Sequence, residues 1–187
     1  MNSPTVVRLQ IVLEEVLPTV LRRIEVPFSI RLDRLHLAVQ AAMGWTNSHL
    51  YEFKAGNLEW GFVDPEDYAS RLDATQAQLD ELVSYSPKLT YLYDFGDGWE
   101  HTITIDALVD EAAGCSYPRL IEAEGRCPPE DVGGPWGYAQ FLKAIGNPSH
   151  RSHVQYKKWF RGDFDPNALD FPALVREVEK LAKRWSR

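Results

Sequence analysis

The segment Leu89-Thr90-Tyr91-Leu92-Tyr93-Asp94-Phe95-Gly96-Asp97-Gly98-Trp99-Glu100-His101-Thr102-Ile103-Thr104-Ile105 reads as two β-strands joined by a turn. Gly96-Asp97-Gly98 supplies the turn, because glycine reaches positive φ without steric cost and aspartate bonds its own backbone in turns. A three-residue loop with Gly98 left-handed sets Asp94 opposite Glu100. It puts Leu89, Tyr91, Tyr93 and Phe95 on one face with Trp99, His101, Ile103 and Ile105. A two-residue turn at Asp97-Gly98 would oppose Asp94 to His101 instead. The first register gathers all the rings on one side, so that face is expected to be the core. Asp94 and Glu100 then share the other face, where like charges need solvent, a cation or a basic partner between them.

The flanking sequence supplies more strands. Val7, Leu9, Ile11 and Leu13 alternate with Arg8, Gln10 and Val12, the period of a strand with one buried face. With the turn around Pro18 and the run Val20 to Val26, residues 6–26 read as a hairpin that Pro27 ends. His49 to Lys54 and Leu58 to Phe62 form another around Gly56-Asn57, with His49, Tyr51 and Phe53 on one face. Leu32, Leu35, His36, Val39 and Met43 recur at helical spacing, so 31–43 is expected to be a helix capped by Gly44. Tyr138, Phe141, Leu142 and Ile145 predict a helix over 137–146, with Asp131 available to cap its start. Leu174, Val175, Val178, Leu181, Ala182 and Trp185 predict one over 170–185 with Asp170 as N-cap. Residues 64–86 read as a polar surface connection with one weak helical piece at 78–83, and 114–135 as a long loop rich in proline and glycine. The whole, 1–187, is expected to be one α+β domain: a mainly antiparallel sheet of hairpins packed against about three helices.

Among 187 residues, 20 basic and 27 acidic side chains give a net charge of −7, which disfavours nucleic acid and anionic lipid as general partners. No apolar run approaches a membrane span, and the start, Met1-Asn2-Ser3-Pro4, has no signal-peptide pattern. A cytoplasmic location follows as the expectation, with a protein or small molecule as partner. Cys115 and Cys127 form no CxxC pair, so a four-cysteine zinc site is excluded. Asp94-Phe95-Gly96 lacks the glycine-rich and His-Arg-Asp loops of a kinase, and no Gly-x-Ser-x-Gly elbow or Walker loop occurs.

Four clusters carry potential chemistry. Asp94, Asp97, Glu100 and His101 lie on or beside the tight turn, where carboxylates and an imidazole could bind a divalent cation or exchange protons; turn geometry, solvation and core packing explain the same residues without chemistry. Glu130 and Asp131, in Cys127-Pro128-Pro129-Glu130-Asp131-Val132-Gly133-Gly134, could line a pocket as catalytic groups or merely precede the helix. His36, His49 and His101 could converge with Asp94 on a transition metal, although an imidazole on an apolar face is commonly a packed core residue. Residues 150–161 interleave Arg151, Lys157, Lys158 and Arg161 with Tyr156, Trp159 and Phe160, a pattern that serves either nucleic-acid contact or a solvated face over anchored rings.

Taken together, Leu32-Asp33-Arg34-Leu35-His36, Met43-Gly44-Trp45, His49-Leu50, Tyr93-Asp94-Phe95-Gly96-Asp97, Trp99-Glu100-His101 and Pro128 to Gly134 resemble the plasmid pRiA4b open-reading-frame-3-like family. Gly137-Tyr138, Phe141-Leu142, Asn147-Pro148-Ser149-His150 and Phe164-Asp165-Pro166 fit the same pattern. The resemblance spans roughly residues 5 to 175. It implies an α+β fold and a binding or accessory role tied to plasmid or mobile-element biology, with the motif positions as candidate site residues. A metal-dependent, hydrolase-like enzyme is the alternative, and a nucleic-acid binder working through 150–161 the third.

Overall fold

A computed structural model describes residues 6–63 and 71–186. The fold is α+β. One eight-stranded sheet runs in the order β5-β4-β3-β6-β7-β1-β2-β8. Its strands are β1 (Val6–Leu13), β2 (Val20–Pro27), β3 (Tyr51–Ala55), β4 (Leu58–Gly61), β5 (Leu72–Asp73), β6 (Lys88–Tyr93), β7 (Trp99–Val109) and β8 (Arg119–Glu124). Every neighbouring pair is antiparallel except β4 and β5. The helices are α1 (Leu32–Met43), α2 (Leu79–Tyr85), α3 (Gly134–Ile145), α4 (His153–Phe160) and α5 (Phe171–Trp185). No described helix is long and apolar enough to cross a membrane.

The three expected hairpins form, and alternation explains them: Val7, Leu9, Ile11 and Leu13 of β1 are buried, as are Leu89, Tyr91, Tyr93, Trp99, His101 and Ile103 of β6 and β7. The central register differs from the expectation. Tyr93 pairs with Trp99, Leu92 with Glu100 and Tyr91 with His101, so the pairing is displaced by two residues and the connection is 94–98. An even displacement keeps every strand side chain on its face, so all the expected core residues except Phe95 face inward although their cross-strand pairs differ. Asp94 therefore opposes neither Glu100 nor His101, and Phe95 leaves the core for the surface, where the Arg71 guanidinium lies 5.1 Å from its ring centre.

Three connections also hold more structure than expected. Within 114–135, β8 pairs with β2 as an edge strand; its single short run against a neighbour from far upstream leaves no local hairpin signal. In 64–86, residues 64–70 lie outside the described residues, but the rest forms β5 and α2 and buries Ala74, Leu79 and Leu82. Within 150–161, residues 153–160 form α4, whose Tyr156 and Phe160 pack edge-on against Phe141 of α3.

On β2, Arg22 takes an inward position between Val20 and Ile24 and is fully buried. Its Nε donates to the Ala42 carbonyl (2.7 Å) and its Nη1 to the carbonyls of Leu21 and Glu124 (2.7 Å each). The charge thus meets the negative end of the α1 dipole instead of a carboxylate, and burial lowers its pKa. One side chain ties α1, β2 and the end of β8.

His36 on α1 and Tyr91 on β6 join the helix to the sheet. His36 Nε2 donates to Asn47 Oδ1 (2.6 Å), which can only accept; the ring's Nδ1 therefore accepts from the Tyr91 hydroxyl (2.8 Å). Gln40 Nε2 donates to the same hydroxyl (3.0 Å), and Gln40 Oε1 accepts from the Asn47 N–H (3.2 Å). Burial holds both His36 and His101 at a pKa of about 4. An unfolded histidine titrates near 6.5, so between that pH and about 4 the unfolded chain takes up protons that the folded chain refuses. The stabilisation is complete above about pH 6.5 and is lost as pH falls toward 4. Urea unfolding at pH 7 and pH 4.5 is expected to show a loss on the order of several kcal/mol, at about 1.4 kcal/mol per unit of each shift. His36→Gln should lessen that dependence, and an unchanged pH slope would refute the assignment.

Candidate functional site

Three loops meet at one end of β6 and β7. The first, 46–49, follows α1 and its Gly44 cap; the second, 94–98, joins β6 to β7; the third, 128–133, leads into α3. Each holds a non-glycine residue in the left-handed region: Asn47 (φ 57°), Asp94 (φ 56°) and Asp131 (φ 60°). Asparagine and aspartate tolerate this region better than other side chains, and such backbone states persist where surrounding contacts impose them.

The contacts here do impose them. Glu130 Oε1 accepts from the Tyr93 hydroxyl (2.6 Å), while its Oε2 accepts from the Thr46 N–H (3.0 Å) and hydroxyl (2.5 Å). Tyr93 in turn accepts from the Ser48 N–H (2.9 Å), and burial with the adjacent Glu130 carboxylate pushes its pKa well above the ordinary tyrosine value. Trp45 Nε1 donates to the Pro128 carbonyl (2.9 Å). Asp94 is buried, and its Oδ1 accepts from the N–H groups of Gly96 (2.9 Å) and Asp97 (3.3 Å), closing the turn; its own N–H donates to the Leu50 carbonyl (2.9 Å). Asp97 Oδ2 accepts from the Gly133 N–H (3.1 Å). At α3 the N-cap is Gly133, and Asp97 from the other loop, not Asp131, receives that N–H.

This arrangement leaves three ligand-type atoms together. His49 Nε2 lies 3.2 Å from Asp131 Oδ1 and 3.5 Å from Asp94 Oδ2, and the three atoms fall within 4.8 Å of one another. His49 Nε2 is shielded from solvent yet has no hydrogen-bond partner among the described residues, although both oxygens lie within 3.5 Å. Asp94 faces the group with the oxygen that the turn does not use. The Asp131 side chain is 73% exposed, so the group opens toward solvent on that side.

By sequence these residues fall into separate sets, His49 and Asp94 with the metal candidates and Asp131 with the catalytic ones. Geometry joins them and takes others out. Both ring nitrogens of His36 are hydrogen-bonded, and its ring stacks on Tyr51 at 3.6 Å. His101 is fully buried beneath Trp45 and directs Nδ1 at the Tyr91 carbonyl (3.2 Å). Glu100 points to the opposite face of the sheet, opposite Leu92. Asp97 and Glu130 brace the loops. Thr46 and Tyr93 share that work and were not singled out, since a threonine after a helix and a core tyrosine carry no local sign of a remote carboxylate. Of the basic set, Lys157 pairs with Asp163 (2.7 Å), Arg161 is the left-handed C-cap of α4, and Arg151 and Lys158 are exposed.

The family model for "Plasmid pRiA4b ORF-3-like protein" matches residues 5–173. A Sinorhizobium fredii (strain NBRC 101917 / NGR234) protein, described as the uncharacterized protein y4hQ, is 47% identical over 186 residues, covering 98% of this chain and 95% of its own. The crystal structure of a protein of unknown function, MM3350 from Methanosarcina mazei Go1, matches with a TM-score of 0.83 at 27% identity, over 95% of this chain and 99% of that one.

Gly134 decides how closely the third loop approaches the turn. A Cβ there would lie 2.2 Å from the Asp97 carbonyl oxygen, at φ +67°. Gly134→Ala is expected to cost about 1–3 kcal/mol in chemical denaturation. Stability equal to that of the unsubstituted protein would contradict this close docking.

Proposed function

This chain belongs to the plasmid pRiA4b ORF-3-like family, and from that premise we propose that it is a divalent-cation-binding domain in which His49, Asp94 and Asp131 hold the ion. The observation that carries the reading is the shielded, unbonded His49 Nε2 flanked by two carboxylate oxygens at 3.2 and 3.5 Å. Ligands about 2.1 Å from a common ion stand roughly 3.0–3.4 Å apart in octahedral or tetrahedral geometry. Oxygens this close to the imidazole nitrogen that make no hydrogen bond with it suit coordination of a shared ion. One imidazole and two carboxylates fit Mn²⁺ or Zn²⁺ better than Ca²⁺, which takes oxygen ligands, or soft Cu(I). The exposed side of Asp131 leaves coordination positions for water and for an oxygen of a bound partner.

The word plasmid in the family description is what supports a tie to plasmid biology in this reading. An exposed ring beside the braced loops supports binding: Trp136, in the first turn of α3, is 76% exposed, whereas Trp99 is fully buried. The second reading, metal-dependent hydrolysis, is favoured by those same open positions, since a bound ion lowers the pKa of its water and polarises a substrate oxygen.

Calorimetric titration of chelator-treated protein with Mn²⁺ and Zn²⁺ is expected to give one ion per chain. His49→Ala, Asp94→Asn and Asp131→Asn should each weaken binding at least about tenfold, a loss near 1.4 kcal/mol. Glu100→Gln, on the far face, should not. Absence of binding, or equal binding by the His49 and Glu100 variants, overturns the proposal. A chromogenic ester and phosphoester screen with and without the ion then separates hydrolysis from binding alone.

A further inference from the structure

A cavity of about 420 Å³ lies between the C-terminal end of α1, the 126–130 segment, α4 and the start of α5. Its walls include Met43, Trp45, Pro128, Phe160, Phe164 and Leu174. Volume and lining fall within the ordinary range for small-molecule sites.

Its charge distribution is asymmetric. Glu130 and Asp170 border it, but both are engaged: Glu130 by Tyr93 and Thr46, Asp170 as the N-cap that accepts from the Ala173 N–H (2.9 Å). Arg126 is different. Its guanidinium carbon lies 4.5 Å from the Phe164 ring centre and 5.5 Å from that of Phe160, and its backbone N–H donates to the Pro166 carbonyl (2.8 Å). Among the described residues, no carboxylate lies within ion-pair distance of Arg126 and its side chain makes no hydrogen bond. Ring contact holds a guanidinium while leaving its N–H edges available, and those edges match the paired oxygens of a carboxylate or phosphate.

We propose that this cavity binds a small organic oxyanion with an apolar body, its head on Arg126 and its body against Trp45, Phe160 and Leu174. The site is distinct from the His49 group and does not depend on a bound ion. Apolar walls alone would accept any greasy molecule; the arginine makes the site choose anions, because a charge-assisted, two-pronged contact to an oxyanion is stronger than the single bond a hydroxyl offers, and a cationic head is repelled.

Chain-matched probes test this in chelator-treated protein, so that loss of the cation site and loss of this one are separable. Octanoate, octyl phosphate, octanol and octylammonium are titrated by calorimetry, with Trp fluorescence as a second readout. The expected result is one octanoate or octyl phosphate per chain, bound at least tenfold more tightly than octanol, with octylammonium weakest. The tighter of the two anions identifies the head as carboxylate or phosphate. Arg126→Met, which keeps the stem over the rings, should remove the preference for anions, and Leu174→Trp should weaken every probe, with circular dichroism reporting the fold of each. Equal affinity for octanoate and octanol, no binding of any probe, or an anion preference that survives Arg126→Met overturns the proposal.

Discussion

The buried polar set of His36, Gln40 and Tyr91, closed from the loop side by the exposed Asn47, is the constraint on which the rest of the arrangement depends. The first three lie between a helix and a sheet, where an unsatisfied donor or acceptor costs about 1–3 kcal/mol. Each described bond has a definite direction: Asn47 Oδ1 forces His36 Nε2 to carry the proton, and that choice makes Tyr91 the donor at Nδ1. The network therefore has one arrangement, and it fixes the azimuth of α1 on the sheet together with the path of the chain after Gly44.

From that anchor the loops follow in sequence. Asn47 is held in the left-handed region by Gln40 and His36. Ser48 then meets the Tyr93 hydroxyl, and Tyr93 passes the constraint to Glu130 on the third loop. Asp97 carries a second link by meeting the Gly133 N–H. His49, Asp94 and Asp131 therefore sit on short braced segments at the end of a sheet, the kind of support that holds a constellation without ordering it on binding. Arg22 does equivalent work at the same C-terminal end of α1, from the β2 side, where it replaces an ion pair by the helix dipole and three carbonyls.

The sequence was legible where period and local chemistry agreed. β1, β6 and β7 announced themselves by alternation, and α1 and α5 by apolar spacing with Gly44 and Asp170 as caps. It was not legible where an element gains its reason from a distant partner. β8 is a six-residue strand whose neighbour, β2, lies about a hundred positions upstream. The 94–98 connection shows the limit of a turn motif: Gly96-Asp97-Gly98 marks a turn, but Asp94, bonding to the Gly96 and Asp97 N–H groups, ends the strand earlier than the glycines suggest. Hydrophobic alternation is blind to a shift of two residues, so the faces were right and the pairs were not.

By itself the sequence determined the α+β class, the core faces of the hairpins, the ends of α1 and α5 and the family; α3 starts three residues before the expected 137. It also contained His49, Asp94 and Asp131 among its candidates, but did not group them. Their separations along the chain, 45 and 37 positions, match no metal-binding spacing on a single helix or hairpin. The sequence also places His36 and His101 on faces expected to be buried; tertiary structure decided that burial there lowers their pKa values and that His49 turns toward the two aspartates. The physical reason is that a histidine's role is set by which polar atoms surround its two nitrogens, and in this chain those atoms come from loops that only the folded sheet and the His36–Tyr91 anchor bring together.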